Sequence, residues 1–95
     1  YYLESLTLVQ QNITSIKSLS QLDVLQHLDI SGNPISSVPM NDGFRNLVTL
    51  NISHTQIRSL VDISAPQTLK TVYVSADMLP MELDRDASYQ VLLVK

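Results

Sequence analysis

The chain has no cysteine, so it can build neither a disulfide framework nor a thiolate metal site. That absence favours a reducing compartment or a bacterial source. Its two glycines, Gly32 and Gly43, are too few for a glycine-rich phosphate loop. Six basic residues stand against nine acidic ones, a formal net charge of −3. The bases (Lys17, Arg45, Arg58, Lys70, Arg85 and Lys95) occur singly along the chain. They form no basic stripe that could track a phosphate backbone, so nucleic acid is not an expected partner. No apolar run approaches membrane-spanning length, so no membrane partner is expected either. The opening residues carry no leader pattern; Tyr1 and Tyr2 run straight into patterned sequence. These features favour an intracellular protein, cytoplasmic or nuclear, over a secreted one. Ninety-five residues make one small domain, which is marginal in stability without help.

What is present is a period. Leu3, Leu25, Leu47 and Leu69 are spaced by 22. Counting offsets from each of these, the third gives Leu6, Leu28, Leu50 and Val72, and the fifth gives Leu8, Ile30, Ile52 and Val74. The tenth gives Ile13, Ile35, Ile57 and Leu79. The units are therefore 3–24, 25–46, 47–68 and 69–90, with a fifth strand starting at Val91 and Val94 three residues later. Offsets 3 and 5 point the same way on a strand, because side chains alternate. Stacked units then pair their strands in a parallel sheet about 4.8 Å apart. One unit cannot bury its own apolar face, so each depends on its neighbours.

Residues 25–38 carry the spacing most completely, with Leu25, Leu28, Ile30, Asn33, Ile35 and Val38 at offsets 0, 3, 5, 8, 10 and 13. This resembles the L-x-x-L-x-L-x-x-N-x-I pattern of the leucine-rich repeat family. The resemblance implies an α/β solenoid. Parallel strands would line its concave face, and short 3₁₀ or irregular segments its convex face. It also implies a protein-interaction scaffold with a protein partner, no enzymatic activity and no cofactor. The 22-residue units are similar to those of intracellular phosphatase-regulator-like proteins and of bacterial internalins. Residues 28–33, Leu-Asp-Ile-Ser-Gly-Asn, and 50–55, Leu-Asn-Ile-Ser-His-Thr, also resemble strands of Zyg-eleven-like substrate receptors of cullin-RING ubiquitin ligases. In that family the repeats are an adaptor-side module. Alternatives are a rigid spacer between domains and an internalin-like adhesin of bacterial or extracellular type.

In this family an asparagine at offset 8 satisfies backbone groups along the stack. Only Asn33 matches; the other units carry Gln11, Thr55 and Asp77, with Asn12 beside Gln11 as a substitute. Looser turns are expected toward both ends. The return segments differ. Ile16, Leu19 and Leu22 suit a short helical turn. Val38-Pro39, the run Asn41-Asp42-Gly43, and Ala65-Pro66 break any longer helix. Phe44 is expected to fill the convex half of the core. In unit four, Glu82, Arg85 and Ser88 hold the positions of Ile16, Leu19 and Leu22 in unit one. Met78, Leu79, Met81 and Leu83 are expected to cover that end instead. Neither end reads as a finished cap, so the chain reads as a segment of a longer protein. The alternative is a complete small protein whose odd fourth unit is its cap.

Outward positions on the strands are offsets 2, 4 and 6. They give the rows Ser5-His27-Thr49-Thr71, Thr7-Asp29-Asn51-Tyr73 and Val9-Ser31-Ser53-Ser75; offset 7 adds Gln10, Gly32, His54 and Ala76. The expected partner-binding residues are His27, Asp29, Asn51, Tyr73, Thr49 and Thr71, with Tyr73 as the anchor because tyrosine buries much area at low entropy cost. No catalytic or metal residues are assigned. His27 and Asp29, with Ser5 and Thr49 beside them, resemble a triad only in composition, since a flat face offers no oxyanion hole. His27 and His54 fall on different offsets and read as too far apart to share an ion. Glu82, Asp84 and Asp86 lack the glycine of a calcium loop. The sequons Asn12-Ile13-Thr14 and Asn51-Ile52-Ser53 read as accidental without cysteines or a leader.

Overall fold

The computed structural model describes residues 4–14, 24–36, 44–60, 67–80 and 89–94. Five strands follow in order: β1 (Ser5–Thr7), β2 (His27–Asp29), β3 (Thr49–Asn51), β4 (Thr71–Ser75) and β5 (Gln90–Val94). They form one sheet in the order β1-β2-β3-β4-β5. Every neighbouring pair is parallel. Parallel neighbours need a crossover, and the segments between the strands supply it. The only helical element among the described residues is a 3₁₀ turn, Ala76–Met78. The sheet and the repeat fit the expected class, but among the described residues the helical share is almost nil.

The register carries the sequence period directly. Leu6 lies opposite Leu28, Leu28 opposite Leu50, and Leu50 opposite Val72. The step between partners is 22 residues in each case. Leu28, Ile30, Leu50, Ile52, Val72 and Val74 are buried. They share one core with Leu25, Leu47, Leu69, Ile35, Ile57, Leu60 and Phe44. Phe44 is fully enclosed, as its size and hydrophobicity require. Leu6, Leu8 and Ile13 are only partly buried, because β1 is an edge with a neighbour on one side.

The spacing is broken in three ways. The step from β4 to β5 is 19 residues, with Val91 opposite Val72. Val91 therefore takes the third offset, not the leading one, because the fourth return is three residues shorter. Leu79 is 50% exposed while Met78 is buried. The 3₁₀ turn tightens the chain there and brings Met78 inward one residue early. Ser53 and Ser75 are buried, although offset 6 was expected to face out. β2 and β3 end at offset 4, so alternation stops before Ser31 and Ser53. At the equivalent position in unit four, Ser75 is enclosed beside the 3₁₀ turn.

The turns explain the polar burial. Gln10, Gly32 and His54, all at offset 7, have positive φ of 54°, 73° and 57°. The amide of Gln10 donates to the Ser31 carbonyl and that of Gly32 to the Ser53 carbonyl. His54 departs: its amide donates to the Ser75 hydroxyl oxygen at 2.8 Å. The 3₁₀ turn after Ser75 thus goes with a side-chain acceptor where the earlier units use backbone.

Asn33 is the most connected of the offset-8 residues. Its Oδ1 accepts from the amides of Gln11 and Ile13 at 2.9 and 3.0 Å. Its Nδ2 donates to the carbonyls of Leu8, Ile30 and Ser31. Thr55 donates only within its own unit, to the Ile52 carbonyl at 2.7 Å. The Gln11 side chain turns back to the Val9 carbonyl, and Asn12 is exposed with a φ of 57°. Expectations for Ile16, Leu19, Leu22, Val38, Pro39, Asn41, Asp42, Gly43, Ala65, Pro66, Met81, Leu83, Glu82, Asp84, Arg85, Asp86 and Ser88 fall outside the described residues.

Candidate binding face of the parallel sheet

The register that buries the leucines also aligns what lies between them. Ser5, His27, Thr49 and Thr71 face one another along one row. Thr7, Asp29, Asn51 and Tyr73 form the next. Both rows are exposed or half-buried. They stand on the opposite side of the strands from the core because side chains alternate.

Between the rows lies an open depression of about 200 Å³. His27, Asp29, Thr49, Asn51 and Tyr73 all contribute to its lining. Thr71 holds the same row one strand further on and is not part of the lining. Ser5 and Thr7 also line it. They hold the same two offsets in the first unit, so the row pattern contained the signal that would have added them.

The polar groups on this face are partly committed. His27 Nδ1 lies 2.7 Å from the Thr49 hydroxyl oxygen. Asp29 Oδ1 accepts from the Ser31 amide at 3.0 Å. Asn51 Oδ1 accepts from the Ser53 amide at 3.0 Å and from its hydroxyl at 2.7 Å. These Asx turns pin both side chains at the point where their strands end. They leave Asn51 Nδ2 and the second carboxylate oxygen of Asp29 unengaged among the described residues. The triad resemblance finds His27 bound to Thr49 and Asp29 bound to a backbone amide, an arrangement suited to recognition.

A second polar cluster lies past the strand ends. His54 Nδ1 is 3.3 Å from Asp77 Oδ1, with both side chains more than half exposed. The Asp77 carboxyl is held below its ordinary value of 3.8, first by a hydrogen bond from Ser75. Desolvation opposes this as the next-largest effect, and its own backbone amide and the nearby His54 and Arg58 add to the lowering. Ser75 thus accepts from the His54 amide and lowers the Asp77 carboxyl. Among the described residues, no three His, Asp or Glu side chains are grouped to hold a metal ion. No described helix is long and apolar enough to cross a membrane.

Neither a curated protein nor a solved structure matches the chain. Residues 24–44 match the family model described as Leucine Rich Repeat. Together with the five-stranded parallel sheet, that match supports reading the chain as a leucine-rich repeat protein.

Proposed function

We propose that the chain is a protein-interaction module, part of a leucine-rich repeat solenoid of 22-residue units, and that it binds through the outward strand rows. Leucine-rich repeat domains are in general protein-binding scaffolds, not enzymes. The observation that carries the reading is the alignment of His27, Asp29, Asn51 and Tyr73 across three adjacent strands around one depression. Recognition needs contiguous, pinned polar groups beside an aromatic anchor, and these residues supply both. Within this reading, residues 28–33 and 50–55 support a place in a ubiquitin-ligase substrate receptor or adaptor, in an intracellular compartment.

The test is site-specific photo-crosslinking in the native cells. A photoreactive residue at Thr71, on the rim of the face, is expected to capture a protein. The adduct should disappear with Tyr73→Ala. The same residue at Arg58, exposed beyond the turn, is expected to capture nothing. Adducts from Arg58 alone would move the site off this face, and adducts from neither position would favour the spacer reading.

A further inference from the structure

We propose that the depression receives a lysine or arginine side chain from the protein partner. This rests on the binding-face reading above and gives that partner its chemistry. Among the described residues, Asp29 contributes the only carboxylate in the lining, and no lysine or arginine contributes to it. Asp29 is half-buried, and its Oδ1 is held by the Ser31 amide. The charge is thus fixed in position, and its second oxygen is unengaged among the described residues. A carboxylate in such a setting favours a charge-assisted bond to a cation.

Size and order of the groups narrow the ligand further. About 200 Å³ falls below the roughly 300–1,000 Å³ of pockets for drug-sized molecules. It suits one side chain of a larger partner. Asp29, Asn51 and Tyr73 follow one another across β2, β3 and β4, so the first and last are about 9.6 Å apart, two strand spacings. A group seated over Asn51 lies roughly 4.8 Å from either neighbour. That is within the ~6 Å at which an aromatic ring attracts a cation. A basic residue uses all three. Its charged head, seated over Asn51, meets Asp29 on one side and the Tyr73 ring on the other. An acidic side chain would meet the Asp29 charge instead.

The experiment selects binders from a displayed library of random linear peptides on the immobilised chain. Peptides are kept if their binding is lost with Tyr73→Ala. They are expected to share a lysine or arginine at one position. Replacing it with glutamine, or making Asp29→Asn in the protein, should each weaken binding about tenfold, as loss of one charged hydrogen bond does. The two changes together should cost no more than either alone. Asparagine keeps an acceptor for the Ser31 amide, and circular dichroism checks that the variant is folded. Should it not fold, the glutamine peptides and the salt dependence of the wild-type complex still decide. Tyr73-dependent peptides without a common basic residue, or independent effects of the two changes, would overturn the inference and leave the binding face standing. Absence of any Tyr73-dependent peptide would overturn both.

Discussion

Asn33 donates from Nδ2 to the carbonyl of Leu8, 25 positions earlier in the chain, at 2.7 Å. With its bonds to the amides of Gln11 and Ile13, this one side chain fastens the second unit to the first. Thr55, at the same offset one unit later, is too short to cross and bonds to Ile52.

The two residues should therefore differ in their contribution to stability. Asn33→Ala is expected to cost about 2–3 kcal/mol, because two amides of the first unit and carbonyls of both units lose a partner. Thr55→Ala should cost about 1 kcal/mol, the worth of an ordinary hydrogen bond. Urea unfolding of the three proteins checks this. Equal losses would mean that Asn33 does not hold the units together.

Leu50 is fully buried on β3, between Leu28 and Val72. Leu50→Ala is expected to cost roughly 2–5 kcal/mol, a large fraction of the stability of a small domain. Denaturant unfolding measures it. A loss under ~1 kcal/mol would contradict a core continuous across the strands.

Gly32 has a φ of 73°, and a Cβ there would lie 2.8 Å from Gln10 Cγ. Gly32→Ala should cost about 1–2 kcal/mol from the left-handed backbone alone. The contact with Gln10 adds to that unless its side chain moves. Adding Gln10→Ala removes Cγ, so the double variant should retain the backbone cost and lose the steric one. Thermal midpoints of the single and double variants separate the two.

Asp77 gives the chain an acid-sensitive contact. Its folded pKa is depressed below the ordinary 3.8, first by the Ser75 hydroxyl. A depressed carboxylate stabilises the fold above its unfolded value and loses that effect as pH falls through its folded value. Wild type should therefore exceed Asp77→Asn in stability above about pH 4. The gap should close on further acidification. Unfolding midpoints of both proteins across that range test the sign; a gap that widens toward low pH would contradict it.

The sheet was legible because its cause is periodic. Leu6, Leu28, Leu50 and Val72 repeat every 22 residues and pair in that register, so the outward rows followed from alternation alone. The misplaced positions lie where the period gives way to local geometry. Leu79 and Met78 exchange roles because a 3₁₀ turn replaces the left-handed residue of earlier units. Val91 shifts because the fourth return is shorter, and nothing in Val91-Leu92-Leu93-Val94 distinguishes one register from another. Those four residues are all apolar, and Leu92 and Leu93 are 43% and 57% exposed on the edge strand. The residues proposed for the binding face were read from their offsets. The bonds that fix Asp29 and Asn51 depend on where each strand ends, which spacing does not reveal.

Partner binding at the strand face is measured by the affinity of the crosslinked partner for wild type, Tyr73→Ala and Arg58→Ala, with folding checked by circular dichroism. Tyr73→Ala should weaken binding by about 2 kcal/mol or more, as loss of an aromatic hot spot does, while Arg58→Ala changes little. Equal, negligible losses from both would contradict binding at the strand face and move the site off it.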